Sequence, residues 1–169
     1  NLQLQICDGM IWKVTKMTEQ TMEYAREVGV IPEVISSMEE AGWENGIEGF
    51  MATSDLQRVA EYIDQYLPEI YYVNSGPGCV DIMASGVSKW RGIKILAESL
   101  NIAHEDILTV GNYYNDIDML QHAGVGIAVA NSLPEVKDVA DFVTEYDNNH
   151  DAVAEIISKM LHHEYDMTK

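Results

Sequence analysis

Apolar and polar positions follow two different periods along the chain, which predicts alternating strands and helices. Residues 2–6 alternate with a period of two, which is typical of a half-buried strand. Apolar residues recur at helical spacing over 89–100, which predicts an amphipathic helix. Residues 125–129 are continuously apolar, as in a parallel strand buried on both faces. These patterns together predict an α/β fold.

Turn and capping residues divide the predicted elements. Asp8-Gly9 is a strong hairpin dipeptide, so residues 10–14 are predicted to return as a second strand. Thr18 and Ser88 are suitable N-caps for two helices, and Asn101 suits the left-handed position after the second helix. Ser54, followed three residues later by glutamine, has the pattern of a capping box.

Polar residues that could catalyse a reaction or bind a ligand follow the predicted strands of the second half. The segment 107–110 is predicted to be a strand, and Asn112, Asn115 and Asp116 come directly after it. Asn131 follows the next strand, and Lys89 opens the preceding helix. The carboxyl ends of parallel strands share one edge of a sheet, where ligands of α/β proteins bind. A lysine and a carboxylate at such an edge suit a phosphate group with Mg²⁺.

Each of these residues also has a purely structural interpretation. Lys89 taken alone is more simply a solvated surface lysine. Asn112 and Asn115 could satisfy a tight turn, and Asp116 could be the N-cap of the helix behind it. The histidines show no ligand spacing and are interpreted as surface residues, and Trp90 as a packing residue. The residue types therefore leave both interpretations open.

Composition narrows the class of partner. The formal net charge is −18 and the pI is near 4.3, which argues against binding nucleic acid or anionic membrane surfaces. No apolar run approaches ~20 residues and no export leader is visible, so we expect a cytoplasmic protein without a membrane span. Cys7 and Cys79 have no metal-ligand spacing and are expected to be buried, reduced thiols.

The second half of the chain resembles a known family. The matching stretches are residues 81–89, 110–120, 123–132 and 140–144. In order and spacing they resemble the lysine motif, the GDxxND metal motif and the following segment of the haloacid dehalogenase (HAD) superfamily, in its Cof-type sugar-phosphatase-like branch. The resemblance implies that residues 76–169 form the C-terminal part of a Rossmann-like parallel-sheet core. Residues 1–75 resemble, more weakly, the second part of the α/β cap domain.

The resemblance implies a Mg²⁺-dependent phosphohydrolase acting on a small phosphorylated metabolite. In that family an aspartate attacks phosphorus, and water then cleaves the aspartyl-phosphate. Lys89 matches the residue that orients the nucleophile and phosphate, and Asp116 matches a metal-site carboxylate. Asn115 matches its hydrogen-bonding neighbour, and Asn131 matches a loop asparagine beside the site.

Two departures from the family pattern change what is expected of this chain. Asn112 stands where the family has the first aspartate of the metal motif, so weaker Mg²⁺ binding is expected. The family's nucleophile loop is not found in this sequence, so the chain alone is expected to be inactive. A non-catalytic binding or assembly protein with the same fold is the alternative. The strand at 107–110 is expected to have an open edge, which could mediate homo-oligomerisation.

Overall fold

The computed structural model describes residues 3–8, 11–42 and 46–165, which form two compact units, Asn1–Ser85 and Gly86–Lys169. The first unit contains a six-stranded sheet in the order β3-β2-β1-β4-β6-β5. The second contains a parallel three-stranded sheet in the order β7-β8-β9. The predicted α/β class is confirmed.

The sheet of the first unit is antiparallel except for the pair β2 and β3. Its strands are β1 (Leu4–Asp8), β2 (Ile11–Val14), β3 (Glu33–Val34), β4 (Gly49–Ala52), β5 (Ile70–Gly76) and β6 (Cys79–Ala84). The predicted hairpin is present, since Asp8 pairs with Ile11, although its Gly9 and Met10 lie outside the described residues.

Two helices and a 3₁₀ turn accompany this sheet: α1 (Glu19–Val28), α2 (Leu56–Tyr66) and the turn Met38–Ala41. Thr18 caps α1 through its side chain, as predicted. The predicted Ser54 cap is wrong: Asp55 is the residue before α2, and it makes no side-chain cap. Ser54 Oγ instead accepts a hydrogen bond from the Gln3 amide, because β1 lies beside it.

The second unit follows strand and helix in alternation. Its elements are α3 (Lys89–Leu100), the 3₁₀ turns His104–Asp106 and Tyr114–Asp116, β7 (Leu108–Gly111), α4 (Ile117–His122), β8 (Val125–Ala128), α5 (Pro134–Val139), β9 (Phe142–Val143) and α6 (Ala152–Leu161). Every residue of β8 is buried, as its apolar run predicted. Asn101 takes the left-handed conformation after α3, with φ of 55°.

Two apolar layers hold the second sheet. On one face, Val125 and Ile127 pack with Ile156 of α6. On the other, Leu120 of α4, Ala128 and Val136 of α5 are all fully buried. Within the described residues, β7 pairs with β8 alone and so forms one end of the sheet. Both the expected open edge and association through it stay predictions.

The first unit extends further along the chain than the predicted boundary after residue 75. It reaches Ser85, because β6 pairs with both β4 and β5 and therefore belongs to the first sheet.

The expected burial of both thiols is not what the structure shows. Cys7 is exposed and Cys79 is half-buried, although neither forms a disulfide. A cysteine on a half-covered sheet need not point into the core. No helix among the described residues is long and apolar enough to cross a bilayer.

Candidate functional site

A tight loop after β7 places a carboxylate beside the end of the strand. β7 ends at Gly111, the chain turns through residues 112–116, and α4 begins at Ile117. A Cβ on Gly111 would lie 2.4 Å from Asp116 Cβ and 2.8 Å from its Cγ. Glycine is required here because the Asp116 side chain occupies the space that any other residue would need.

The Asp116 carboxylate is buried and fully engaged. Its Oδ2 accepts the amides of Asn112 at 2.8 Å and Tyr113 at 3.1 Å, and only 3% of the residue is exposed. Both bonds run back into the loop, and the side chain makes no cap to α4. Asp116 thus occupies the N-cap position of α4, as the structural interpretation expected, but without a side-chain cap bond there. Its carboxylate instead closes a capping box with Tyr113 and organises the loop that precedes α4.

Lys89 reaches this carboxylate from the start of α3. Its Nζ lies 2.5 Å from Asp116 Oδ1, and about half of the lysine side chain, 49%, remains exposed. Ser88 caps α3 by accepting the Arg91 amide at 3.1 Å, which fixes where the helix begins. The ammonium is thus paired with a buried anion on one side and accessible to a solvent-borne anion on the other.

The predicted asparagines have different surroundings. Asn112 is exposed, and its carbonyl accepts the Leu133 amide at 3.4 Å. Asn115 is half-buried within the same loop. Asn131 is exposed and forms two hydrogen bonds with Asn148. Its Nδ2 donates to Asn148 Oδ1 at 2.5 Å, and its Oδ1 accepts the Asn148 backbone amide at 3.4 Å. The structure thus joins Lys89, Asp116 and the Asn112 backbone by contact, whereas the Asn131 side chain bonds to a different loop.

Sequence reasoning gave no functional part to four residues around this pair, since it took Ser88 only as an N-cap, Trp90 as a packing residue and His122 as a surface residue, and assigned no role to Asp118. Ser88 Oγ donates to Asp118 Oδ2 at 2.5 Å, and Asp118 Oδ1 lies 3.1 Å from Nδ1 of His122. The His122 ring stacks on Trp90 with centroids 5.8 Å apart and planes at 19°. The spacing of four between Asp118 and His122 was the available signal, since such residues are neighbours on a helix.

The donor set suits only a weak Mg²⁺ site. Mg²⁺ in proteins binds oxygen ligands, often one or two carboxylates, and keeps several waters. The loop offers the Asp116 carboxylate and the neutral Asn112 amide. No cluster of three or more acidic, histidine or cysteine side chains able to hold a metal exists among residues 3–8, 11–42 and 46–165. Lys89 already pairs with Asp116, which opposes a second cation there.

A cavity lies elsewhere, in the first unit. It has a volume of about 720 Å³ and is mainly apolar, with Phe50, Val59, Ile63 and Ile82 among its lining residues, together with the charged Arg58. A cavity of this size is typical of a ligand site. It contains neither Lys89 nor Asp116, so it does not mark the site predicted from the sequence.

Sequence comparison connects the chain to named relatives. Residues 2–157 match the family model described as haloacid dehalogenase-like hydrolase. The chain is 35% identical to YxeH of Bacillus subtilis over 108 residues, 63% of this chain and 40% of that protein. It is 34% identical to the 5-amino-6-(5-phospho-D-ribitylamino)uracil phosphatase YcsE of B. subtilis over 89 residues, 53% of this chain and 35% of that one. The chain thus spans less than half the length of either relative.

Solved structures support the fold. A haloacid dehalogenase-like hydrolase from Bacteroides thetaiotaomicron superimposes with a TM-score of 0.76 at 21% identity, over 94% of this chain and 61% of that one. The HAD subclass IIB sugar phosphatase BT4131 gives 0.80 at 23% identity, over 96% and 60%. At such identities the structural similarity shows the fold alone. Family membership is established by the match to the family model over residues 2–157. The chain belongs to the haloacid dehalogenase-like hydrolase family.

Proposed function

We propose that this chain provides the lysine and metal-motif half of a phosphohydrolase site for a small phosphorylated metabolite, with Mg²⁺ held weakly. The observation that carries the proposal is the contact between Lys89 Nζ and Asp116 Oδ1, next to the exposed Asn112. Family membership and the phosphatase names of relatives support the reaction class.

Lys89 supplies the charge that attracts a phosphate. Its ammonium is a compact point charge on a flexible stem, so it can donate to a phosphoryl oxygen while still facing Asp116. The amides of Asn112 and Tyr113 are already used by Asp116 and do not take part. Asp116 and Asn112 would hold Mg²⁺, which when bound neutralises charge on phosphoryl oxygens.

We propose further that the chain by itself does not turn over substrate. A nucleophilic carboxylate must have an oxygen free to attack phosphorus. Asp116 is tied to two amides and an ammonium, and Asp118 accepts from Ser88 and faces His122. The carboxylates next to Lys89 in the described structure therefore have structural partners and are poorly suited to attack.

A phosphate titration tests the binding half of this proposal. Inorganic phosphate added to the ¹⁵N-labelled protein should shift the amide signals of residues 111–116. The shifts should disappear in Lys89→Met, which keeps the length and apolar stem of the side chain without its charge. Loop signals that stay unchanged at tens of millimolar phosphate would overturn the proposed site.

A turnover assay tests the inactivity. With p-nitrophenyl phosphate and Mg²⁺, wild type should release no more p-nitrophenol than Asp116→Ala. Robust wild-type turnover that Asp116→Ala abolishes would show that the chain contains its own nucleophile.

The alternative is a binding or assembly protein that kept the fold without the chemistry. Asn112 favours it, because the amide removes a charge that a phosphatase metal site uses. Lys89 paired with Asp116 favours the first proposal. Millimolar Mg²⁺ discriminates: loop amides that respond to neither Mg²⁺ nor phosphate would support the alternative.

A further inference from the structure

Three consecutive residues at the start of α3 each contact α4 or the residue directly before it. Ser88 bonds to Asp118, Lys89 to Asp116, and the Trp90 ring stacks on His122. The lysine of the proposed site is thus held between two further contacts, neither of which involves Asp116 itself.

The Ser88 hydroxyl has two functions at once. It accepts the Arg91 amide at 3.1 Å as the cap of α3, and it donates its proton to Asp118 at 2.5 Å. A hydroxyl can do both because it has one donor and two acceptor positions. The first bond fixes where α3 begins, and the second fixes that point relative to α4.

Asp118 and His122 extend this connection along α4. The two residues are four positions apart: His122 Nδ1 forms a hydrogen bond with the Asp118 backbone carbonyl oxygen at 2.8 Å and also lies 3.1 Å from Asp118 Oδ1. The nearly parallel stacking of His122 on Trp90 closes the connection back to α3. These side chains form a closed circuit of contacts, Ser88–Asp118–His122–Trp90, around the base of Lys89.

We propose that Ser88 and Asp118 are positioning residues that hold Lys89 over Asp116, an inference that rests on the proposed function for its consequence in phosphate binding. A lysine side chain has a flexible four-carbon stem and loses considerable rotamer freedom when it is fixed in one position. A single contact at Nζ cannot anchor the backbone from which that stem departs. The Ser88–Asp118 bond fixes the backbone one residue before Lys89. Supporting hydrogen bonds next to a functional residue commonly hold it in position in this way.

Asp118→Ala tests this role with little effect on the helix cap. It removes the acceptor of the Ser88 proton and leaves Ser88 bonded to the Arg91 amide. We would measure the rate at which an amine-reactive ester modifies Lys89, by mass spectrometry, with Lys94 of the same helix as internal reference. The Lys89 to Lys94 rate ratio should rise several-fold, because a released ammonium is more often free of Asp116.

Three further variants separate the bond from general loss of structure. Asp118→Asn keeps an acceptor for Ser88 and should retain the wild-type ratio. Ser88→Gly removes the hydroxyl, keeps a residue type that is tolerated at N-caps, and should match Asp118→Ala. Glu98→Ala removes a carboxylate from α3 away from the circuit and should change nothing. A wild-type ratio in both Asp118→Ala and Ser88→Gly would overturn the proposal.

Phosphate titration of the same variants keeps the two proposals apart. Phosphate that binds wild type but binds Asp118→Ala several-fold more weakly supports both. Equal binding to wild type and Asp118→Ala would overturn the positioning role while the proposed function stands. If wild type does not bind phosphate, the proposed function fails, and the Lys89 modification rates still decide the positioning role.

Discussion

Lys89 and Asp116 are 27 residues apart in the chain, yet the lysine Nζ lies 2.5 Å from the aspartate Oδ1. The two side chains differ in exposure, because 49% of the lysine side chain is accessible and 5% of the aspartate side chain is. A buried anion therefore holds a cation at the surface. This asymmetry suits the capture of an anionic ligand better than it suits the capture of a metal.

Gly111→Ala should displace Asp116 and destabilise the second unit. The new methyl group would lie 2.4 Å from Asp116 Cβ, closer than van der Waals contact permits. Overpacking of this kind costs about 1–3 kcal/mol. Denaturant unfolding monitored by circular dichroism measures the change.

Gly92→Ala is the matched control for that substitution. Gly92 lies within α3, and a Cβ there meets nothing within 4 Å. Alanine in a helix interior is better than glycine by roughly 0.5–1 kcal/mol, so this variant should be more stable than wild type. Equal stability of both alanine variants would contradict the assigned role of Gly111.

Asn112→Asp should strengthen Mg²⁺ binding at the loop. The substitution adds a second carboxylate beside Asp116, and Mg²⁺ sites commonly use two. We expect a gain of about tenfold in affinity, equivalent to ~1.4 kcal/mol. Isothermal titration calorimetry with MgCl₂ measures it, and Gln121→Glu, which adds the same charge at an exposed position of α4, is the control. No gain over that control would show that residue 112 does not reach the metal.

The second unit should self-associate through β7. Within the described structure β7 bonds to β8 alone, and an open strand edge can pair with another chain. The net charge of −18 opposes association, so the mass measured by light scattering should increase with both protein concentration and salt. Hydrogen exchange should slow at β7 over the same range. A monomer at millimolar concentration in high salt would contradict the prediction.

The end of the second unit should lose stability in acid through Glu155. Burial raises the pKa of this carboxyl, but hydrogen bonds from Lys159 and from the amides of Tyr146 and Glu145 outweigh burial and lower the pKa below its ordinary 4.5. A lowered pKa in the folded state means that the stabilisation is complete above the ordinary value. It is then lost as the pH falls from 4.5 through the lowered pKa.

Glu155→Gln is the variant that isolates this dependence. It should be less stable than wild type at pH 7 and should lose less stability on acidification, as measured by thermal unfolding between pH 7 and pH 3. Asp138→Asn, at an exposed position of α5, is a control for acidification in general. An unchanged pH profile in Glu155→Gln would show that other carboxyls dominate.

Local pattern by itself determined several elements of this protein. The helix Lys89–Leu100, its Ser88 cap and the left-handed Asn101 all follow from residues close in the chain. The buried strand β8 follows from its continuous apolar run. These features depend on the backbone preferences of single residues and on the apolar character of one segment. Both can be read from consecutive residues in the sequence.

Tertiary structure decided the features that depend on distant partners. The amides of Asn112 and Tyr113 orient Asp116 locally, but Lys89 meets it only because α3 packs beside α4. The first unit extends to Ser85 because β6 pairs with β4, which lies beyond helix α2 in the chain, as well as with its neighbour β5. The Ser88–Asp118 bond joins residues 30 positions apart. The periodicity of apolar residues shows which face of a helix or strand is apolar. It does not show which other element packs against that face, because that depends on the tertiary structure.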